Sequence, residues 1–544
     1  VILYGAGTDY CLFLVSRYRE ELTGGHEVKK ALTRAVGGVG EALAASAGTV
    51  MVGLGLMALA EFAKVRYAGP AIALSLGVAL AASLTLTPAL LSILGRWVFW
   101  PGKPPVADFR ARLFDEKRPR EGGLWEAISR GVAQHPIAIW FAAVLFLAPF
   151  VILGLNVKPN YRATGELSPQ CPSLKGLAAI QRHFTAGEIG PVTVLLTSSQ
   201  DWSSPMGQRE LERLSIGFAE LDGVAEVRSL VQPLGFGWIE LHGDRNGKGW
   251  FNQFCLLVGP VLKSWHGEII QEAKGHYLAS FDVEKEGKTE KVHVTRLDVI
   301  LKTDPFDPAS VKTLNLIQTW LREESTQSNF MNAEIRSECY GITAIGKDLA
   351  DVTESDRFRV NGFVLAAILI ILLILVRKVW LACYLLVTVL ASYYAALGAT
   401  ALAGYFWTGE LLMQVDWRVP FFLFTILVAV GEDYNILLIA RALEEAKQHG
   451  PLEGMRRALA KTGGAITSCG LIMAGTFATL MLAGLNTLMQ IGFALAFGVL
   501  IDTFIVRPFL VPACTMLIWG GIQQPPAVED EDLLEIDKIL SKAA

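Results

Sequence analysis

Residues 462–501 run for 40 positions without Asp, Glu, Lys or Arg. A helix needs roughly 20 apolar residues to cross a hydrocarbon core about 30 Å thick. The run is too long for one span, and Gly484-Leu485-Asn486 supplies a turn between two, the second continuing to about residue 518. Charge-free windows at 42–60, 67–95, 136–157, 360–376 and 379–409 each predict one more span. Two further apolar segments are interrupted by acids: 1–16, which holds Asp9, and 420–440, which holds Glu432 and Asp433. The expected total is nine spans. Only 18% of the 544 residues are charged and 52% are hydrophobic, whereas a soluble domain carries about 25% charge. With 48 Lys and Arg against 52 Asp and Glu and no basic stripe, a nucleic-acid partner is excluded.

Lys and Arg in short loops mark the cytoplasmic side. Arg17, Arg19, Lys29, Lys30 and Arg34 follow the first span, and Arg377, Lys378, Arg441, Lys447, Arg456, Arg457 and Lys461 mark later loops on the same side. Lys64 and Arg66, in a short turn on the other side, run against this pattern. The expected plan is then three spans over 1–95, a cytoplasmic linker with an amphipathic helix over 96–135 and one span over 136–157. An extracytoplasmic domain over 158–359, five spans over 360–519 and an acidic cytoplasmic tail over 520–544 complete it. In the linker, Trp125, Ile128 and Val132 form an apolar face suited to the membrane surface.

The chain also repeats itself. Gly7-Thr-Asp-Tyr-Cys-Leu-Phe-Leu-Val-Ser-Arg17 matches Gly431-Glu-Asp-Tyr-Asn-Ile-Leu-Leu-Ile-Ala-Arg441 at an offset of 424 residues. The match continues through Glu20-Glu21 with Glu444-Glu445, Ser46-x-Gly48 with Ser468-x-Gly470 after a two-residue gap, and Pro88-Ala89 with Pro512-Ala513. The second half has six spans with a large insert after its first, and the first half shows only its last three. Duplication therefore predicts three more spans and a second outer domain, roughly 290 residues, before Val1.

The insert alternates strand and helix patterns: strands at 191–199, 224–231, 291–302 and 333–342, and helices at 205–221, 262–279 and 308–324. Two βαβ-like units predict a ferredoxin-like domain. A last helix from about residue 345 should run directly into the span at 360, and 235–254, rich in Gly and Trp, is irregular.

The acids inside the spans are the candidate site. A carboxylate at a helix centre costs about 2.5 to 3.5 kcal/mol and is normally paired, protonated or functional. Asp9 and Asp433 occupy repeat-related positions, each followed by a tyrosine, Tyr10 and Tyr434. Successive helix residues point about 100° apart, so the expected pairs are crosswise, Asp9 with Tyr434 and Asp433 with Tyr10. A phenol donates to an ionised carboxylate and accepts from a protonated one, which suits a group that alternates between the two. No Lys or Arg is expected near either Asp-Tyr pair, so burial and mutual repulsion disfavour the charge, as a proton carrier requires. Glu432 is an auxiliary candidate that shares the proton of Asp433 or points along another face. Asp502 and Arg507, five residues apart in the last span, suggest a structural ion pair or a snorkelling pair near the inner surface.

The Gly-x-Asp-Tyr elements at Asp9 and Asp433 resemble the MMPL family, transporters of the resistance-nodulation-division (RND) superfamily. So do Gly95-Arg-Trp-Val-Phe-Trp-Pro101, residues 125–136, residues 161–191 and Gly498-Val-Leu-Ile-Asp-Thr-Phe-Ile-Val-Arg-Pro-Phe-Leu-Val-Pro512. The resemblance covers nearly the whole chain. It implies an α-helical polytopic membrane protein of pseudo-two-fold RND plan, nine spans present of twelve, with an α+β porter domain facing the periplasm or exterior. It further implies proton-motive-force-driven export of lipids or other hydrophobic molecules across a bacterial cytoplasmic membrane, with Asp9, Tyr10, Asp433 and Tyr434 as the proton relay. Homo-oligomers or envelope accessory proteins are the partners that such a plan accommodates, besides protons, substrate and membrane lipid. Phe13 fits an aromatic often found beside the relay, and Leu437 stands in its place in the second half. Drug-efflux members usually set an intramembrane lysine against their aspartates; no span here contains one, which favours the lipid-type branch.

No metal-ligand spacing appears among the eight histidines, no Walker motif accompanies the spans, and no nucleophile-base constellation suggests an enzyme. No cofactor is expected. Of seven cysteines, Cys171, Cys255 and Cys339 lie in the insert and allow at most one disulfide. A sterol-sensing or receptor-like protein of the same superfamily, and a member assisting protein translocation, are the competing readings; the first should tolerate Asp→Asn at the relay, whereas a proton-coupled exporter should not.

Overall fold

The charge-free windows are helical in the computed structural model, which describes residues 2–100, 124–167, 170–235, 268, 270–285, 288–327, 335–408 and 414–520. The side chains of residues 2, 41, 42, 163, 285, 288, 324–327, 407, 408, 414, 433 and 520 fall outside that description. Two compact units divide the chain, one of Val1–Asn160 with Thr353–Ala544 and one of Tyr161–Val352.

The first unit opens with α1 (Ile2–Thr23), α2 (Val28–Gly55) and α3 (Ala63–Leu94), followed by α4 (Leu124–Gln134) and α5 (Pro136–Leu155). Strand β1 (Lys158–Asn160) then leads out of it. Among the described residues, eight helices are long and apolar enough to cross a membrane, by length and composition. The ninth expected span, α1, is helical for 22 residues but carries Asp9, Arg17, Arg19, Glu20 and Glu21 and is not among the eight.

The second unit holds α6 (Pro172–His183), β2 (Val192–Ser198), α7 (Pro205–Glu220), β3 (Val224–Arg228), β4 (Leu278–Lys285), β5 (Lys288–Leu301), α8 (Pro308–Gln327) and β6 (Arg336–Tyr340). The sheet runs β3-β5-β2-β6, with β4 also paired to β5, and every pairing in it is antiparallel. Along β2, Val192, Val194, Leu196 and Ser198 are buried while the residues between them are partly exposed, the alternation of a sheet covered on one face. Its core gathers Trp202, Leu211, Leu214, Phe218, Leu314 and Ile317. Phe218 meets the Trp320 ring at 4.8 Å between centroids, and a Cβ at Gly217 would stand 2.3 Å from that ring. The helix expected over 262–279 is helical at 268 and 270–277, and Leu278 already begins β4, which pairs antiparallel along β5 and was not foreseen. The irregular segment at 236–254 and Cys255 lie outside the described residues. Cys171 and Cys339 are free, and burial, its largest cause, pushes the Cys339 thiol up to about 11.

Helix α9 (Ile342–Val376) is continuous, as its sequence suggested, and is followed by α10 (Val379–Thr408), β7 (Gln414–Asp416), α11 (Arg418–His449), α12 (Pro451–Ala478) and α13 (Asn486–Ile501). A π-helical segment over Asp502–Leu510 and α14 (Val511–Gly520) complete the description. The last span was expected as one plain helix. Pro508 lacks an N–H and its ring crowds the carbonyl one turn back, and the helical ladder widens around it.

Close packing within this unit depends on small residues, as it must where lipid offers no hydrophobic drive between helices. A Cβ at Gly154 of α5 would lie 1.9 Å from the Tyr394 carbonyl oxygen, and one at Gly398 of α10 would lie 2.0 Å from that of Phe150. Strand β1 pairs in parallel with β7. The N-terminus of α3 has no cap of its own; instead buried Asp356 of α9 accepts from the backbone N–H groups of Glu61 and Phe62, each at 2.8 Å. Trp125 does not lie free at a membrane surface: a Cβ at Gly463 of α12 would stand 2.4 Å from its indole, Val132 is fully buried, and Arg456 bonds Glu126. The apolar face of α4 is thus spent on a neighbouring helix.

Candidate functional site

Helices α1 and α11 bring the repeated motif together. The Tyr434 hydroxyl donates to Asp9 Oδ2 across 425 residues of sequence, and both residues are buried. Asp9 lies on a buried face of α1: Tyr10 beside it is 3% exposed, Leu14 is fully buried, and the thiol of Cys469 on α12 lies alongside its carboxylate. Phe13 packs its ring 5.8 Å from that of Tyr434. The second crosswise pair rests on the Asp433 side chain, which lies outside the described residues; its backbone belongs to α11.

One cavity adjoins the pair, and a second shares Phe13 and Leu437 with it. The first, of about 10 Å³, is lined by Asp9, Tyr10, Ser46 and Tyr434, near the size that admits a single water. A larger one of about 230 Å³ is lined by Ser16, Arg17, Glu20, Arg441, Glu444 and Lys461 toward its charged rim. Phe13 and Leu437, equivalent in the repeat, line both.

The expectation that no cation stands near the motif is overturned by Arg507. Its guanidinium carbon lies 3.9 Å from the centroid of the Tyr434 ring, and it bonds Asp502 at 3.4 Å and the Gly431 carbonyl at 3.5 Å. Asp502 also accepts from the Ser392 hydroxyl of α10. The pair is not snorkelling at an inner surface, for the two side chains are only 3% and 2% exposed. The π segment turns Asp502 and Arg507 inward, and a guanidinium stacked on a phenol that itself donates to a carboxylate is stabilised by both. The legible signal was an Asp and an Arg five residues apart in an otherwise apolar span; the contact could not be read because 73 residues separate Arg507 from Tyr434.

Glu432, also fully buried, lies inside the motif, one residue before Asp433, and takes only a long 3.5 Å bond from Asn435 Nδ2. Cys469 and Ser392 were not anticipated, since an apolar span offers no sequence reason to single out a small polar residue. Among the described residues no group of three or more His, Cys, Asp or Glu is arranged to hold a metal ion.

The profile described as "MMPL family" matches residues 1–139 and 170–528. A Bacillus anthracis protein named apo-petrobactin exporter is 30% identical over 533 residues, covering 96% of this chain and 63% of that protein. A Streptomyces coelicolor putative membrane protein, ActII-3, is 29% identical, covering 98% of this chain and 63% of its own length. Over 221 residues, 40% of this chain and 20% of the relative, the chain is 37% identical to the sulfolipid-1 exporter MmpL8 of Mycobacterium tuberculosis. The chain therefore spans less than two thirds of the length of these relatives.

Proposed function

From the premise that this chain belongs to the MMPL family, we propose that it works, in the complete protein, as a secondary transporter that exports lipids or other hydrophobic or amphiphilic molecules at the expense of a proton gradient. It is a multi-pass membrane protein and no enzyme. The observation that carries the reading is the bond from Tyr434 to buried Asp9 beneath the Arg507 guanidinium. Asp9 with Tyr434 and Asp433 with Tyr10 form the proton relay. When Asp9 is ionised, Tyr434 donates to it; when it is protonated, the phenol accepts instead. Arg507 supplies a countercharge to both Asp502 and the ionised relay. A proton then leaves by way of the larger cavity once Phe13 and Leu437 part.

Energetically, one proton moving down about 100 mV releases about 2.3 kcal/mol, whereas exposing one CH₂ of an acyl chain to water costs about 0.8 kcal/mol. Coupling therefore requires several protons or a sheltered path, and the α+β unit at 161–352, read as a ferredoxin-like porter domain, is the candidate shelter. The loop charges favour an orientation that puts it on the outer face of the cytoplasmic membrane, and nine spans of a twelve-span plan then belong to this chain. Relatives named for a siderophore and for a sulfolipid support an amphiphilic substrate. Proton flux into liposomes holding the complete protein and lipid extract tests the reading. Wild type should carry lipid-dependent flux and Asp9→Asn should lose it with its fold intact; equal flux in both would turn the assignment toward a receptor.

A further inference from the structure

Glu432 is fully enclosed, and its position has no counterpart in the first half, where Thr8 stands and donates its hydroxyl to the carbonyls of Tyr4 and Gly5. Three residues on, Asn435 is 1% exposed, and Cys11 stands at its equivalent. Asn435 Nδ2 donates to Glu432 Oε2 at 3.5 Å. The other two atoms of this carboxyl and carboxamide, Glu432 Oε1 and Asn435 Oδ1, have no partner among the described residues. Both are acceptors if Glu432 is ionised, and two buried acceptors without a donor are costly. A single proton on Oε1 makes one of them a donor to the other and completes the two-bond ring that a carboxylic acid forms with an amide.

Asp502 and Arg507, both from the last span, act on Glu432 electrostatically. Arg507 already pairs with Asp502, but its Nε has no partner. We propose that Glu432 is a further proton-exchanging carboxyl of the membrane unit, paired with Asn435 when protonated and turned to Arg507 Nε when ionised. Uptake forms one O–H bond at Oε1 and removes one negative charge. Release breaks that bond, passes the proton to the inner aqueous phase and leaves a carboxylate for which Arg507 is the countercharge. The atoms involved are the three left unpartnered, Glu432 Oε1, Asn435 Oδ1 and Arg507 Nε, and the two joined by one long bond, so each state satisfies what the other leaves open. The asymmetry adds one exchanging proton to the second half alone.

This inference rests on the proton-driven reading, and its test does not depend on transport. Infrared difference spectra of the complete protein in liposomes, recorded across a pH step, should show the carbonyl stretch of a protonated carboxyl that disappears in Glu432→Gln. Asn435→Leu should move that band to higher frequency by removing its hydrogen bond. Proton uptake over the same step, followed with a pH dye, should fall by one proton per chain in Glu432→Gln. A wild-type spectrum without this band, a band that persists unchanged at every pH, or one that Asn435→Leu leaves in place would overturn the inference. Thermal melting that matches wild type guards against misfolding in either variant. If Asp9→Asn retains lipid-dependent flux, the transport reading falls whatever the spectra show; if flux is lost while the Glu432 band does not titrate, only this inference falls.

Discussion

Helices α1 and α11 carry the same eleven-residue motif, yet they live in different surroundings. The apolar window of α11 is 88% buried, whereas α1 exposes Leu3 and Tyr4 at 42% and 75%. The difference extends to the spans that pack beside them. Positions 502, 507 and 508 are Asp, Arg and Pro; their counterparts 78, 83 and 84 in α3 are Val, Ser and Leu. Helix α3 runs as an α-helix to Leu94 with Pro70 and Pro88 inside it, while Pro508 sits in a π segment from which Arg507 sets its guanidinium over Tyr434. A duplicated motif has thus been kept while its electrostatic setting was placed on one side only. The lesson is that an internal repeat locates paired groups, but countercharge and hydrogen bonding must be read for each half.

The comparison can be broken most decisively at Arg507. Arg507→Ala leaves Asp502 buried without its partner and should cost about 3 to 5 kcal/mol, the usual loss when one member of a buried pair is removed. Asp502→Asn in the same chain should recover much of it, whereas Ser83→Ala, at the equivalent place, should stay near wild type. Thermal melting in detergent reads all three, and equal losses at 83 and 507 would erase the asymmetry. Next in size is the pair of repeat-related glycines. A Cβ at Gly470 would stand 2.1 Å from Thr503 Oγ1, but at Gly48 nothing lies within 4 Å. Gly470→Ala should cost about 1 to 3 kcal/mol by crowding the π segment, and Gly48→Ala should gain up to about 1 kcal/mol of helix propensity.

Tyr434→Phe removes the donor to a buried carboxylate, at about 1 to 3 kcal/mol, and should slow proton flux in liposomes. A flux unchanged by the loss of that hydroxyl would detach the tyrosine from the relay. The smallest effect is expected where the halves differ by one ring. Phe13→Leu gives the first half what the second has at Leu437 and should cost about 0.5 to 1.5 kcal/mol of ring contact with Tyr434. A larger loss in the melt would mean that Phe13 supports more than this contact.

Much of the membrane unit was legible because its pattern is crude and strong. A charge-free run of 20 residues has one economical fate in lipid, and windows such as 136–157 became helices with boundaries close to those expected. Strands β2, β3, β5 and β6 were also located, since alternation and β-branching are local signals. Strand β4 escaped although Ala279, Phe281 and Val283 alternate with Ser280, Asp282 and Glu284, because the helical pattern before it was carried on to residue 279; its pairing with β5 settles it. The α4 helix was read correctly as amphipathic, yet nothing local distinguishes a face that meets lipid from one that meets Gly463.

The sequence by itself determined the eight long apolar helices, the repeat and the pairing of Asp9 with Tyr434, because hydrophobic length and helical period act within a few turns of chain. Only the tertiary structure decided that Arg507 lies over Tyr434, that Asp502 takes the Ser392 hydroxyl and that Asp356 caps the start of α3. Those contacts join residues 73, 110 and 295 positions apart. A charge buried in a low-dielectric interior is governed by whichever partner the fold brings within a few ångströms, and distance along the chain carries no record of that choice.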